Sequence, residues 1–238
     1  MKLTAPLIVY LPDTRGVEIS PFGRGNLKLG PGVYTYSRVA GNAALQENSY
    51  LGTCPGSTPE CESICYAKRI KGDVLDIYEW NSRSSDVPEL PADARLVRIH
   101  VSGDFNHVEY INSWCQRLQE RPDVTAWAYT RSWRVPSLLL ALERLRAMPN
   151  VQLFASMDKS TVELPPAGWR IAWIDGDSRL FECSSPEHRV ATHNGDPLTT
   201  RFESLGYICP EQTGRKVNCE ECRYCFDGQK HDVIFLNH

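Results

Sequence analysis

The feature that most constrains this chain is an alternation of short apolar runs and helical stretches. Residues 95–103 (RLVRIHVSG), 124–132 (VTAWAYTRS), 150–158 (NVQLFASMD) and 168–176 (GWRIAWIDG) are rich in β-branched and aromatic residues and read as strands. Between the first three lie two stretches with helical spacing, 106–121 and 135–148. An earlier run, 32–40 (GVYTYSRVA), also reads as a strand, and 188–193 and 232–238 are later strand candidates. Strands alternating with helices of this length build parallel β/α units. The expected fold is α/β, a partial or irregular parallel β/α barrel, with an open doubly wound sheet as second choice. Function is then expected at the C-terminal ends of the strands.

The rest of the chain is divided around that core. Residues 1–30 are rich in Gly and Pro and read as an irregular N-terminal segment, 31–205 as the barrel-like core, and 206–238 as a cysteine-rich segment and closing strand packed on it. Residues 62–83 have helical spacing, with Ile64, Ala67, Ile70, Val74 and Ile77 as the predicted buried stripe. Residues 86–94 (DVPELPADA) read as a connector. With 238 residues, 42% of them hydrophobic, the chain can bury a substantial core. Its formal net charge of −3 offers no global attraction to nucleic acid or to an anionic membrane. No apolar run approaches membrane-spanning length, and the first residues lack the pattern of a signal peptide, so a cytosolic protein is expected.

Nine cysteines sit in this sequence, and seven fall in two groups. Cys54, Cys61 and Cys65 follow the first core strand; Cys209, Cys219, Cys222 and Cys225 lie near the C-terminus. In a reducing compartment such grouping points to metal rather than to a disulfide framework. The C-terminal group ends in C-x2-C-x2-C. One zinc ion prefers two short pairs that face each other, whereas successive two-residue gaps suit a cuboidal cluster whose irons take ligands at different corners. Iron–sulfur is therefore the first expectation and zinc the alternative. The first group, C-x6-C-x3-C, has three thiols; on a 4Fe–4S cluster these leave one iron free for a substrate or cofactor.

A cysteine loop after the first barrel strand, followed by β/α units, resembles the radical S-adenosylmethionine (SAM) superfamily. The resemblance implies a 4Fe–4S cluster on the loop cysteines, with SAM chelating the free iron. HVSGDF (100–105) stands where that family has a Gly-Gly-Glu-like segment contacting the SAM amino group. The spacing differs from that family's C-x3-C-x2-C, and Lys68 stands where the matching last cysteine would fall. SAM is thus a secondary expectation. Five blocks together, GPGVYTYSRVAG, CPGSTPECESICYA, RIHVSGDF, WAYTRSWR and CPEQTGRKVNCEECRYCF, resemble the bacteriophage "gene product 88" family. That resemblance implies a viral protein acting in the cytoplasm of an infected bacterium and supplies no activity.

Polar residues at the predicted strand ends complete the candidate site. Ser102, Asp104, Arg131 and Lys159 are expected to bind a cofactor, with Arg131 and Arg134 able to hold a carboxylate or phosphate. The competing reading for Asp104 is a helix cap after the turn at Gly103. His100, Asn106, Ser156 and Asp158 lie at the same ends. His193 is a lesser candidate ligand beside His188, Cys115 reads as a small buried hydrophobe, and Cys183 has no assigned role. The glycines of GRGNLKLGPG lack the Gly-Lys-Ser/Thr ending of a phosphate loop. Basic and aromatic residues around the C-terminal cysteines resemble a nucleic-acid knuckle, but Glu220 and Glu221 disfavour it. The sequence thus predicts a protein with one or two 4Fe–4S clusters, working with a redox partner or a small-molecule substrate. The rival is a zinc-stabilised module binding nucleic acid or protein without catalysis.

Overall fold

A computed structural model of the chain describes residues 20–44, 51–175, 206–228 and 231–236. The strand candidate 188–193, with His188 and His193, and Cys183 lie outside the described residues. The strands are β1 (Gly23–Arg24), β2 (Val33–Tyr36), β3 (Leu96–Ile99), β4 (Thr125–Thr130), β5 (Val151–Asp158), β6 (Arg170–Asp175), β7 (Gly206–Ile208) and β8 (Asp232–Leu236). They form one eight-stranded sheet in the order β1-β2-β3-β4-β5-β6-β8-β7. Only β1 runs antiparallel to its neighbour; every other pairing is parallel.

This is the mixed α/β architecture that the alternation predicts, with a mostly parallel sheet. From β2 to β6 the order climbs without reversal, unlike a doubly wound sheet. Closure is not seen: no pairing joins the β1–β2 edge to β7 among the described residues. Of the expected partial or irregular barrel, the described residues show a mostly parallel sheet that is not clearly closed. Its edges are a two-residue strand and a three-residue strand, too short to be picked out by periodicity.

Parity along the strands divides the core. Val97, Ile99, Ala126, Ala128, Leu153 and Ala155 point to one face, where they pack with α3 (Val108–Glu120) and α4 (Pro136–Arg146). Trp114 of α3 is fully buried there and meets the Tyr36 ring edge-on at 5.5 Å. Burying such a ring contributes about 1.5–3 kcal/mol. Residues of the other parity, Leu96, Trp127, Phe154, Ala172 and Val233, lie on the opposite face. A parallel sheet must cover both faces. The second cover is the cysteine-rich segment, through Cys209, Tyr224, Cys225 and Phe226.

The predicted 62–83 helix is corrected. It is three pieces: α1 (Pro59–Ile64), a 3-10 turn (Tyr66–Arg69) and α2 (Asp73–Arg83). Cys65 and Ile70 are extended and Gly72 has φ 63°, so no single helical face runs through. Of the predicted stripe only Ala67 is buried; Ile64 and Val74 are 37% and 47% exposed. The end of α2 is fixed instead by Arg38, which is fully buried. Its Nη2 donates to the carbonyls of Ser82 and Ser84 at 2.7 and 2.9 Å, satisfying helix-end acceptors with a cation.

Candidate functional site

The first cysteine group is built onto the C-terminal ends of the central strands. Thr58 caps α1, accepting from the Cys61 N–H at 3.1 Å, and Pro59 opens the helix. The same hydroxyl donates to Asp158 Oδ2 at 2.6 Å, tying the loop to the end of β5. Gly56 lies against the end of β4, where a Cβ would stand 2.1 Å from the Arg131 carbonyl oxygen. Only glycine fits so close an approach. Cys54, Cys61 and Cys65 are half-buried free thiols within electrostatic reach of one another. Burial pushes the Cys54 thiol well up, and Asp104 adds to this. Burial also raises Cys61, while Arg131 pulls it back.

The strand-end residues divide by use. Asp104, 4% exposed, accepts from Thr130 Oγ1 at 2.6 Å, from Phe105 N at 2.7 Å and from Arg131 N at 2.8 Å. Its carboxylate thereby clamps the ends of β3 and β4 together. Ser102 donates to the Arg38 carbonyl at 2.8 Å, again within the fold. Arg131 is 5% exposed, and its Nη1 lies 2.9 Å from Asp158 Oδ2. That ion pair is out of line for a hydrogen bond, and both Nη atoms are buried without an acceptor among the described residues. Burial raises the Asp158 carboxyl, but Arg131, Ser160 and Thr58 more than offset this and hold it below 3.8. Lys159 lies at the exposed rim, 3.3 Å from Glu60. Arg134, a sequence candidate for binding an anion, instead pairs with Glu163 at 2.7 Å and donates to the Gly56 carbonyl.

The second group lies on the sheet face opposite α3 and α4. Cys209 is 5% exposed, and its N–H donates to Ile234 O in β8 at 2.8 Å. Cys219 and Cys222 bracket a single turn, α5 (Cys219–Cys222), capped by Asn218. The Cys219 N–H donates to the Lys28 carbonyl at 2.8 Å. Glu220 Oε2 accepts from Gly32 N at 2.9 Å, and its side chain fills the space beside Gly30 and Gly32. That contact explains the glycines of the GPG turn.

Three polar side chains of the sheet face these thiols. The Tyr129 hydroxyl donates to Cys225 Sγ at 2.9 Å. Arg98 stacks on the Tyr129 ring at 3.9 Å, and Arg170 on Phe154 at 4.1 Å. Neither guanidinium has a carboxylate within ion-pair distance among the described residues. Burial pushes the Cys219 thiol up to about 11, with Arg98 opposing and Cys209 adding. Burial takes Cys225 to about 12, where Tyr129 opposes and Cys209 and Cys219 add. The four thiols thus lie within one another's fields. No three Cys, His, Asp or Glu side chains among the described residues are set to hold a single metal ion.

Arg98, Arg170, Thr58 and Glu220 were not singled out as site residues from the sequence. The signal for the arginines was parity: each is a cation at a position whose strand neighbours of the same parity are apolar or aromatic. Cys115, expected to be buried, is only partly so, packing against the main core from α3.

Fold and site together define a mostly parallel α/β protein with two groups of thiols on one sheet. Within that class the chain belongs to the Gene product 88 family, whose model matches residues 22–228. Similar proteins include the Gene 88 protein of Mycobacterium phage L5, 28% identical over 244 residues, covering 85% of this chain and 92% of that protein. The Gene 88 protein of Mycobacterium phage D29 is 25% identical with the same coverage. No solved structure matches the chain. These findings support the phage family resemblance, and none supports the radical SAM one.

Proposed function

We propose that this phage protein is an iron–sulfur protein acting in electron transfer or redox chemistry, with clusters held by its two cysteine groups. The observation that carries the reading is charge placement. Seven free thiols are gathered on one sheet beside Arg98, Arg131 and Arg170, and the first and last of these have no carboxylate within ion-pair distance among the described residues, though the Asp232 charge acts on Arg170. Arg131 is paired but keeps buried donors unused. Thiolate-ligated clusters are anionic, and cations and hydrogen-bond donors around them offset the cost of burial.

Cys54, Cys61 and Cys65 would hold the first 4Fe–4S cluster, and Cys209, Cys219, Cys222 and Cys225 the second. A bound cluster supplies reversible one-electron storage. The protein's own residues do the rest. Thr58 and Gly56 fix the first loop against the strand ends, Arg131 presents donors to it, and Tyr129 presents one to Cys225. SAM stays a secondary candidate for the open position of the three-cysteine group. The rival is a zinc-stabilised module that binds nucleic acid or protein without catalysis, with zinc on the C-terminal four.

Two multiple variants test this. Replacing Cys54, Cys61 and Cys65 with Ala, and separately Cys219, Cys222 and Cys225, should each remove one iron-containing EPR signal and leave the other. Iron content unchanged in both variants, or zinc in place of iron in the parent, overturns the reading.

A further inference from the structure

β3 carries an arginine, Arg98, with no carboxylate within ion-pair distance among the described residues. Arg98 Nε donates to the carbonyls of Ile99 and His100 at 3.3 and 3.2 Å, so the guanidinium lies at the C-terminal end of its strand. The Tyr66 hydroxyl donates to the next carbonyl, Val101 O, at 2.8 Å. Tyr66 follows Cys65 directly, so the first cysteine group reaches the same strand end. On its other side Arg98 stacks on Tyr129, which donates to Cys225. Val101 itself packs into the apolar cluster that holds Tyr129, Cys219 and Cys225. Arg98 and the Tyr129 hydroxyl therefore both lie on the side of the C-terminal group.

We infer that Arg98, as a cation stacked on Tyr129, and the Tyr129 hydroxyl, as a hydrogen-bond donor to Cys225, together set the reduction potential of the C-terminal centre. This rests on the iron–sulfur reading above. Each reduction adds one electron, from an external one-electron donor, and no bond forms or breaks. The added negative charge is stabilised by a nearby cation and by an O–H donated to a thiolate sulfur. Both are positioning residues, and removing either makes reduction harder.

The test is an EPR-monitored dithionite titration of the full, anaerobically prepared chain, with iron and acid-labile sulfide counted in each sample. Signals are assigned with the two cysteine-group variants. Tyr129→Phe keeps the ring beneath Arg98 and loses one hydroxyl. It should keep its iron and move only the C-terminal midpoint to more negative potential. Arg98→Gln should move the same midpoint negative and leave the other in place, and Arg98→Lys should restore it in part. A parent protein without iron overturns the iron–sulfur reading and this inference with it. Iron present with an unmoved C-terminal midpoint in Tyr129→Phe overturns the inference alone, even if Arg98→Gln does not fold. Loss of iron in Tyr129→Phe makes Tyr129 structural and overturns it too.

Discussion

His100 ends β3 with φ of 63°, a left-handed conformation that costs a non-glycine residue strain. Its ring is buried, with Nε2 2.8 Å from the Tyr110 hydroxyl. Burial, with Arg38 and Arg98 adding, holds its pKa well below 6.5. The unfolded chain takes up that proton below about pH 6.5 and the folded chain does not, so the stabilisation is present above 6.5 and lost as pH falls. His100→Asn tolerates the same backbone and cannot titrate. The stability gap between the two proteins, from urea midpoints, should narrow between pH 7.5 and pH 5; a constant gap contradicts the buried neutral imidazole. Gly56→Ala should cost about 1–3 kcal/mol, because its Cβ would run into backbone rather than a movable side chain. At this scale the sequence was partly legible. Asp104 allowed a turn-and-cap reading and a site reading, and its geometry serves the turn while bringing Arg131 to the cysteine loop. Nothing local announces that Glu220 will fill the space beside Gly30 and Gly32, 188 residues from its partner Gly32.

Elements with a strong period came through. The four runs between 95 and 176 are β3 to β6, and the two helical stretches are α3 and α4, each within a few residues. Tertiary demand overrode the pattern at 62–83, where the chain bends twice to carry Cys61 and Cys65 past the strand ends. The cysteine-rich segment is the other illegible element, since it has little regular structure and is held by scattered contacts. Glu220 is one of its main attachments. Glu220→Ala should cost about 1 kcal/mol locally. It should speed proteolysis within 209–228 while leaving the main thermal transition in place; an unchanged digestion pattern would show that Glu220 does not anchor the segment.

At the scale of the molecule, one sheet is covered by helices on one face and by thiol-bearing chain on the other. Among the described residues the second cover is small, so ligation there should couple to its order. Removing metal should raise amide exchange in 209–228 and leave β3, β4 and α3 protected, as read by hydrogen-exchange mass spectrometry. Equal protection with and without metal would contradict that coupling. The central claim is more direct: the seven thiols grip iron and sulfide. Metal and acid-labile sulfide analysis of strictly anaerobic protein tests it. The account predicts a coloured protein with about 8 iron atoms per chain and as much sulfide, for two clusters. A colourless protein carrying stoichiometric zinc and no sulfide would contradict it.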